Sequence, residues 1–287
     1  MEKFLKGAAL CAASALAWAI SGPLSRLSFA EGVSPGTVAF WRVAISGACF
    51  LVHALALRHP FPSRRNMAYL MLFGLGNVSV FFLSFQLAIK KSGSALATVL
   101  MFTAPIWVAI FSRIIFQESI DRAKLTAILT ALCGVVLVCF SGGSLGGDIS
   151  YVGLGSGIVC GLFYACQFIF YSWWKGHFST AVLFAFTFLP AAAVLACFAD
   201  FQPISMAGWI GIAVPAFLST YAAYYMYGQS LFYLTPVQAS VIGNLEPVAG
   251  TLLSWWFWNE NFTVSGWIGC AFVIGSVAIM ALLGRRQ

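Results

Sequence analysis

Long runs of hydrophobic residues, separated by short polar segments, follow one another along the whole chain. A helix of about 20 residues crosses the hydrocarbon core of a bilayer, and backbone inside lipid must satisfy its own hydrogen bonds, so such runs predict membrane-spanning helices. The pattern predicts an all-α polytopic membrane protein with ten spanning helices, numbered here by their order in the chain. The ten runs are Leu5 to Leu27, Pro35 to Ala56, Met67 to Ala88, Ser94 to Ile115, Leu125 to Phe140, Tyr151 to Trp174, Ala181 to Ala199, Met206 to Tyr227, Val237 to Trp258 and Val264 to Leu283.

Lys and Arg residues between these runs predict which side of the bilayer each loop occupies. If the N-terminus lies inside the cell, ten of them fall in cytoplasmic segments and three outside, which agrees with the positive-inside rule. Both termini are therefore predicted to be cytoplasmic. The first run is longer than the apolar core of a signal peptide, so we expect a retained helix. The inner set is Lys3, Lys6, Arg58, Arg64, Arg65, Arg122, Lys124, Lys175, Arg285 and Arg286, and the outer set is Arg26, Lys90 and Lys91.

The two halves of the chain repeat a proline and a glutamate at one spacing. A shift of 142 residues superposes Ala95 to Ser119 on Val237 to Asn261 and aligns Pro105 with Pro247 and Glu118 with Glu260. Five helices are an odd number, so the second half would enter from the opposite side of the bilayer, as in many transporters. The sequence thus predicts two inverted five-helix repeats, residues 1–146 and 147–287, that form one transmembrane domain.

Composition narrows the possible functions. Hydrophobic residues make up 61% of the 287 residues and charged residues only 8%, against roughly 25% charged in a soluble domain. The net charge of +7 comes without a basic run interleaved with aromatic residues, so no nucleic-acid partner is expected. The eight Cys lie in apolar runs and form no metal-ligand pattern, and the sequence has no nucleotide-binding loop or HExxH motif. We therefore predict no enzyme activity, no metal and no cofactor.

Both halves contain short motifs that are typical of a known family. The motifs are Phe40-Trp41-Arg42, Ala95-Leu96-Ala97 with Ala104-Pro105 and Glu118, and Leu245-Glu246-Pro247-Val248 with Glu260. With them the chain resembles, throughout its length, the EamA branch of the ten-helix drug and metabolite transporter superfamily, and within it bacterial exporters of aromatic amino acids. This resemblance implies alternating access around a central cavity lined by the first, third, fourth, sixth, eighth and ninth helices. Four-helix multidrug relatives carry an acidic residue in the first helix for proton coupling, and this chain has none between Phe4 and Leu27.

Two charged residues lie within predicted spans. Glu246 is in the middle of the ninth run, where a charge costs about 2.5 to 3.5 kcal/mol unless it is paired, hydrated or protonated. It could contact a substrate amine, carry a proton, or form an interhelical hydrogen bond that stabilises the backbone beside Pro247. Arg42 lies about seven residues into the second run, where it could attract a carboxylate, although we favour a structural role.

Polar and aromatic positions at helical spacing predict the cavity wall. Ser240, Asn244, Pro247 and Thr251 follow one another at steps of three or four, so they share a face of the ninth helix. Such residues line a cavity or join helices by hydrogen bonds. Pro105 and Pro247 are the predicted gating or hinge positions. The predicted substrate-binding residues are Trp18, Asn77, Phe81, Ser84, Thr98, Met101, Tyr164, Gln167, Tyr221, Tyr224, Ser240, Asn244 and Glu246.

These features predict a secondary transporter in a bacterial inner membrane. The aromatic wall with neutral polar groups suits amphipathic, net-neutral solutes, so export of aromatic or apolar amino acids is the first hypothesis. A broad exporter of drugs or metabolites is the alternative within the same class. A membrane-embedded enzyme or lipid scramblase is the alternative from another class, and it predicts a catalytic cluster or a hydrophilic groove open to lipid. A small-molecule substrate and the bilayer are the expected partners; a monomer would suffice, although the sequence leaves the oligomeric state open.

Overall fold

A computed structural model describes residues 2–92, 94–140, 150–258 and 263–284. Within these ranges the chain is helical throughout, with one isolated bridge between Lys175 and Phe178 and no β-strand. Most predicted runs are single helices or two helical pieces in succession. The α-helices are Glu2–Ala19, Ser21–Ala30, Pro35–Ala56, Arg64–Phe73, Ser79–Ser92, Ser94–Met101, Ala104–Ile115, Arg122–Cys139, Tyr151–Trp174, Thr180–Ala196, Met206–Pro215, Ala223–Ser230, Pro236–Gly243, Leu245–Trp258 and Val264–Gly284, and the π-helical turns are Gly74–Val78 and Ala216–Ala222.

Eight helical stretches in the described part of the chain are long and apolar enough to cross a membrane. The seventh predicted run is an apolar helix of 17 residues, Thr180–Ala196, and the ninth is divided into two shorter helices. The membrane-protein class is thus confirmed, while the count of ten spans stays a prediction. The eight stretches are Glu2–Ala30, Pro35–Ala56, Arg64–Ala88, Leu96–Ile115, Arg122–Cys139, Tyr151–Trp174, Met206–Ser230 and Val264–Leu282.

Side-chain caps explain where several helices begin. The oxygens of Ser34, Asp121 and Ser179 each accept a hydrogen bond from the backbone N–H three residues later. Thr235 and Gln238 form a reciprocal capping box at the start of the ninth helix. Each cap satisfies a backbone donor that has no partner inside the helix, which is worth about 1 kcal/mol.

The backbone irregularities of the two halves recur at the predicted shift. The π-helical turn Gly74–Val78 precedes the one at Ala216–Ala222 by 142 residues, and the helix ending at Met101 precedes the one ending at Gly243 by the same distance. Pro215 stands directly before the second π-helical turn, where its missing N–H prevents a regular hydrogen-bond ladder.

Some residues and side chains on which the predicted repeat and orientation depend lie outside the part of the chain that the structure describes. This applies to Glu260, Arg285 and Arg286, to the repeat boundary at residues 146 and 147, and to the side chains of Arg26 and Lys90. The two-repeat organisation therefore stays a prediction.

The two predicted hinge prolines occupy the first turn of a helical piece rather than a helix interior. Pro105 follows the interruption at Phe102 and Thr103, and Pro247 follows the interruption at Asn244. A proline is tolerated in a first turn because the N–H that it lacks would have no intrahelical partner there. The fourth and ninth helices are therefore already divided where the sequence predicted bending, and the hinge role itself stays a prediction.

Close backbone contact joins the third helix to the seventh at Gly74. A Cβ atom added to Gly74 would lie 2.1 Å from the carbonyl oxygen of Thr187, whereas one added to Gly76 in the same π-helical turn would meet no atom within 4 Å. We expect Gly74→Ala to destabilise the protein by about 1 to 3 kcal/mol, because the obstructing atom is backbone. Gly76→Ala should have no such cost. Thermal unfolding of both variants in detergent tests this difference, and equal midpoints would contradict the close contact.

Candidate functional site

Arg42 connects two interrupted helices in the interior. Its Nη1 donates to Ser21 Oγ at 2.6 Å, and its Nε and Nη2 donate to Thr220 Oγ1 at 3.3 and 3.2 Å. Ser21 begins the second piece of the first helix, and Thr220 lies in the π-helical turn of the eighth. The guanidinium group thus holds the second, first and eighth helices together at their irregular points.

Neighbouring hydroxyl groups fasten the same π-helical turn. Ser46 Oγ contacts the carbonyl oxygens of Arg42 and Ala216 at 2.6 and 2.8 Å, and Ser219 Oγ donates to the carbonyl oxygen of Ala17 at 2.5 Å. Ser46 thus supplies a donor to a carbonyl group of the π-helical turn, and Ser219 of the turn donates to a carbonyl group of the first helix. The second and first helices therefore position the eighth helix beside the interior.

Glu246 supplies the opposite charge. It is partly buried, in the first turn after the interruption of the ninth helix, and it interacts electrostatically with Arg42. No ion pair within 4.0 Å joins these two residues in the described part of the chain. The carboxylate also interacts electrostatically with Tyr164 and Tyr224. The interior thus contains separated positive and negative groups next to aromatic side chains.

Aromatic rings form a continuous cluster beside these charges. Trp18 lies 5.1 Å from Tyr224 and 5.6 Å from Tyr227 between ring centroids, mostly edge-on or tilted. Phe168 lies 5.2 Å from Tyr227 and 5.1 Å from Tyr164. The first, sixth and eighth helices therefore contribute to one buried aromatic cluster, and aromatic rings pack well against flat apolar groups.

The structure places most of the predicted substrate-binding residues in the interior. Trp18, Tyr164, Tyr224 and Glu246 meet through the ring contacts and electrostatic interactions described above, and Phe81 stacks on Tyr164 at 5.2 Å. Asn77, Gln167 and Asn244 are buried, and each has at least one side-chain polar atom without a hydrogen-bond partner among the described residues. Met101 is also buried, and Thr98 is partly buried, one turn before the interruption of the fourth helix.

Three other predicted residues form hydrogen bonds with groups outside the aromatic cluster or within their own helices. Ser84 and Ser240 donate to carbonyl oxygens of their own helices, Phe81 and Val237, at 3.1 and 2.9 Å. Tyr221 hydrogen-bonds His53 Nδ1 at 2.7 Å and packs on Phe50, away from Trp18. The predicted polar face of the ninth helix also does not continue unbroken, because the helix is interrupted at Asn244.

Several residues of the site were not among those predicted. Tyr227 was interpreted as the end of a run, and Phe168 was one of 27 phenylalanines. The spacing of Tyr164, Phe168 and Tyr171 at steps of four and three was the available signal for the face on the sixth helix. Ser21 and Thr220 gave no signal, because their importance depends on contact with Arg42 across the chain.

Two surface cavities lie apart from this interior cluster. A cavity of about 460 Å³ is bordered by His59, Thr180, Tyr225 and Gln229, near the junction of the seventh and eighth helices. A second, of about 710 Å³, lies between the third, fourth and sixth helices and is bordered by Phe73, Phe111, Phe170 and Trp173. The residues that border the second cavity are apolar, so it offers no polar group to a charged ligand.

Comparison with known proteins finds several relatives that are named as transporters. The inner membrane transporter YicL of Salmonella typhimurium is 25% identical over 233 residues, covering 78% of this chain and 76% of the relative. The transporter YdfC of Bacillus subtilis is 20% identical over 270 residues, covering 92% of this chain and 87% of the relative. A transporter of Archaeoglobus fulgidus is 26% identical over 198 residues, covering 68% and 70%.

The fold and a family model agree with these relatives. A solved crystal structure matches the chain with a TM-score of 0.83 at 19% identity, covering 98% of each chain. The model of the EamA-like transporter family matches two stretches, residues 5–140 and 152–282, which together include most of the chain. The matched relatives are named as transporters, and the described helices are those of a multi-pass membrane protein. The chain therefore belongs to the EamA-like transporter family.

Proposed function

We propose that the protein is a secondary transporter that exports small zwitterionic metabolites, first of all aromatic or apolar amino acids, by alternating access. The observation that carries this proposal is the presence of two separated but interacting interior charges, Arg42 and Glu246, beside the aromatic cluster. The proposal places the protein in a bacterial inner membrane with both termini in the cytoplasm. One copy contains the whole site, which requires neither cofactor nor nucleic acid.

The two interior charges favour a ligand that carries both signs. An α-amino acid would direct its carboxylate to the Arg42 guanidinium, whose planar group suits carboxylates, and its ammonium group to Glu246. A ligand with a single charge would leave one interior charge without a partner, and such desolvated charges are costly. The net neutrality of the pair therefore supports zwitterions over organic cations and over dicarboxylates.

The aromatic cluster favours a flat, apolar side chain. Offset or edge-to-face contacts between rings contribute about 0.5 to 1.5 kcal/mol beyond the area that they bury. Trp18, Tyr224 and Phe168 belong to different helices, so a bound ring would contact the first, eighth and sixth helices together. This contact would couple substrate binding to the positions of these three helices relative to one another.

Packing within the bundle supports an arrangement closed toward the cytoplasm. Helix Pro236–Gly243 packs against Ala104–Ile115, and both would lie in the cytoplasmic half if the positive-inside orientation holds. Glu2–Ala19 packs against both pieces of the ninth helix. In two inverted five-helix repeats, the fourth and ninth helices would bend at their interruptions. The cytoplasmic side of the site would then open while the outer side closes.

Ligands that lack one charge provide the first test. We expect proteoliposomes with purified protein to take up phenylalanine saturably and at least about tenfold better than phenethylamine, which lacks the carboxylate, or 3-phenylpropionate, which lacks the amine. Glu246→Gln should lower phenylalanine uptake and narrow its advantage over 3-phenylpropionate. The measurement is radiolabelled uptake with and without a pH gradient. Uptake of a cationic dye without any uptake of phenylalanine would contradict the proposal and favour a broad drug exporter.

A further inference from the structure

Polar atoms without partners surround the aromatic cluster. Trp18 Nε1, the Tyr227 hydroxyl, Gln167 Nε2 and both polar atoms of the Asn244 side chain find no hydrogen-bond partner among the described residues. The exposed fractions of these side chains lie between 1% and 6%. Buried polar groups in proteins are almost always hydrogen-bonded, so several together indicate a place where another molecule supplies the partners.

These groups belong to one region of the interior. Trp18 and Tyr227 are in ring contact at 5.6 Å, and Tyr227 contacts Phe168 at 5.2 Å. Gln167 lies three residues after Tyr164, so these two side chains are neighbours on the sixth helix. A Cβ atom on Gly243 would lie 3.9 Å from Phe168 Cζ, and Gly243 directly precedes Asn244.

The chemistry of these groups separates them from other buried polar residues. Hydroxyl groups such as those of Ser14, Ser230 and Ser276 donate to carbonyl oxygens one turn earlier in their own helices. The remaining unpaired buried atoms among the described residues are the hydroxyls of Ser25, Ser112 and Ser172, one Glu118 oxygen and Asn77 Oδ1. A serine hydroxyl can reach its own backbone after a rotation, and Asn77 lies in the π-helical turn of the third helix. A tryptophan N–H or a tyrosine hydroxyl within a helix has no such local partner, and the Asn244 and Gln167 amides have not formed one.

We infer that Asn244, Gln167, Tyr227 and Trp18 form a second, uncharged polar subsite that binds a hydrogen-bonding group on the ring of an aromatic amino acid. The inference rests on the proposed function. Arg42 and Glu246 bind the zwitterionic end, the aromatic cluster surrounds the ring, and the subsite meets a phenol hydroxyl or an indole N–H. It contains donors in Trp18 and Gln167 and both donors and acceptors in Asn244 and Tyr227, so a hydroxyl can donate and accept there.

Such a site discriminates strongly against a ligand of equal size that lacks the polar group. When buried polar groups are left without partners by the bound ligand, the ligand is rejected more strongly than by a purely apolar pocket. Tyrosine and 4-methylphenylalanine make a size-matched pair that differs in this respect alone. We expect tyrosine, and also tryptophan, to bind at least about tenfold more tightly than 4-methylphenylalanine or phenylalanine.

The test is competition against radiolabelled phenylalanine in proteoliposomes, which gives an inhibition constant for each amino acid. Asn244→Leu and Tyr227→Phe should each reduce the tyrosine preference over 4-methylphenylalanine to less than about threefold. Ser276→Ala removes a buried hydroxyl that is bonded to its own helix, in the tenth helix, and should leave that ratio as in the wild type. Because the readout is a ratio of two ligands on one preparation, partial loss of folded protein does not change it.

Each outcome is decisive. A preference for tyrosine that collapses in Asn244→Leu and Tyr227→Phe supports the subsite. Equal binding of tyrosine and 4-methylphenylalanine by the wild type overturns the subsite, while binding of both amino acids would leave the proposed function standing. A tyrosine preference that survives in both variants also overturns the subsite. If no amino acid competes or is transported, the proposed function itself fails, and the inference fails with it.

Discussion

Arg42→Met is expected to lower amino-acid uptake at least about 100-fold and to lower thermal stability as well. The substitution removes three hydrogen bonds to Ser21 and Thr220 and leaves Glu246 without its electrostatic partner. Leaving Glu246 as an uncompensated interior charge, together with losing these hydrogen bonds, is expected to cost about 3 kcal/mol, which corresponds to roughly 100-fold in an equilibrium constant. Initial uptake rates in proteoliposomes and unfolding midpoints in detergent measure the two effects.

Two further variants separate the causes. Arg65→Met removes an exposed arginine that hydrogen-bonds only Tyr69 among the described residues, and it should change neither measurement. Arg42→Met combined with Glu246→Gln leaves no uncompensated charge, so it should regain part of the lost stability but none of the uptake. Uptake near the wild-type level in Arg42→Met would show that the guanidinium group has no role in binding a carboxylate.

The charged pair also shows what the sequence could predict. Glu246 and Arg42 were recognisable because charges within apolar runs are costly and so require a reason. Their relation was not recognisable, since they lie about 200 residues apart in the chain and the pairing depends on how the second and ninth helices pack. The prediction that Arg42 is mainly structural captured its hydrogen bonds to the first and eighth helices and missed its interaction with Glu246.

The positions of the helices were more predictable from the sequence than the points at which the helices are interrupted. Apolar runs locate helices because lipid leaves no other way to satisfy the backbone, and the described helices follow those runs closely. The π-helical turn Gly74–Val78 contains no proline, so the sequence gives no local signal for it. It is associated with the close approach of Gly74 to Thr187, which only the structure shows. The interruption at Asn244 also lacks a local signal apart from Pro247 three residues later.

Aromatic side chains illustrate the same limit for the site. The sequence offers 46 Phe, Trp and Tyr residues counted together, and helical spacing alone does not say which of them face the interior. Trp18, Tyr164 and Tyr224, which were predicted to line the cavity, are buried, and their substrate contact stays a prediction. Tyr221 hydrogen-bonds His53 because it lies on another face of the eighth helix. The position of a residue along its helix was predictable from the sequence, whereas the side of the helix on which it lies was not.

Gly161→Val is expected to abolish most transport by forcing the fourth and sixth helices apart. A Cβ atom at Gly161 would lie 2.5 Å from the carbonyl oxygen of Leu100 and 2.7 Å from Thr103 Oγ1, beside the interruption of the fourth helix. The carbonyl cannot move without shifting the backbone, so overpacking should cost about 1 to 3 kcal/mol or more. Met101 and Tyr164, which adjoin this contact, would be displaced with it.

Gly155→Val is the matched control for Gly161→Val, because Gly155 lies in the same helix and a Cβ atom there would meet nothing within 4 Å. Its uptake and unfolding midpoint should stay close to those of the wild type, since valine forms helix at least as well as glycine. If both variants transport equally well, contact between the sixth helix and the interrupted fourth helix is not needed for the transport cycle. If only Gly161→Val fails and its unfolding midpoint is lowered by several degrees, the interruption requires that close approach for stability as well as for transport. A loss of uptake with an unchanged midpoint would instead assign the contact to movement of the fourth helix, in which Pro105 is the predicted hinge.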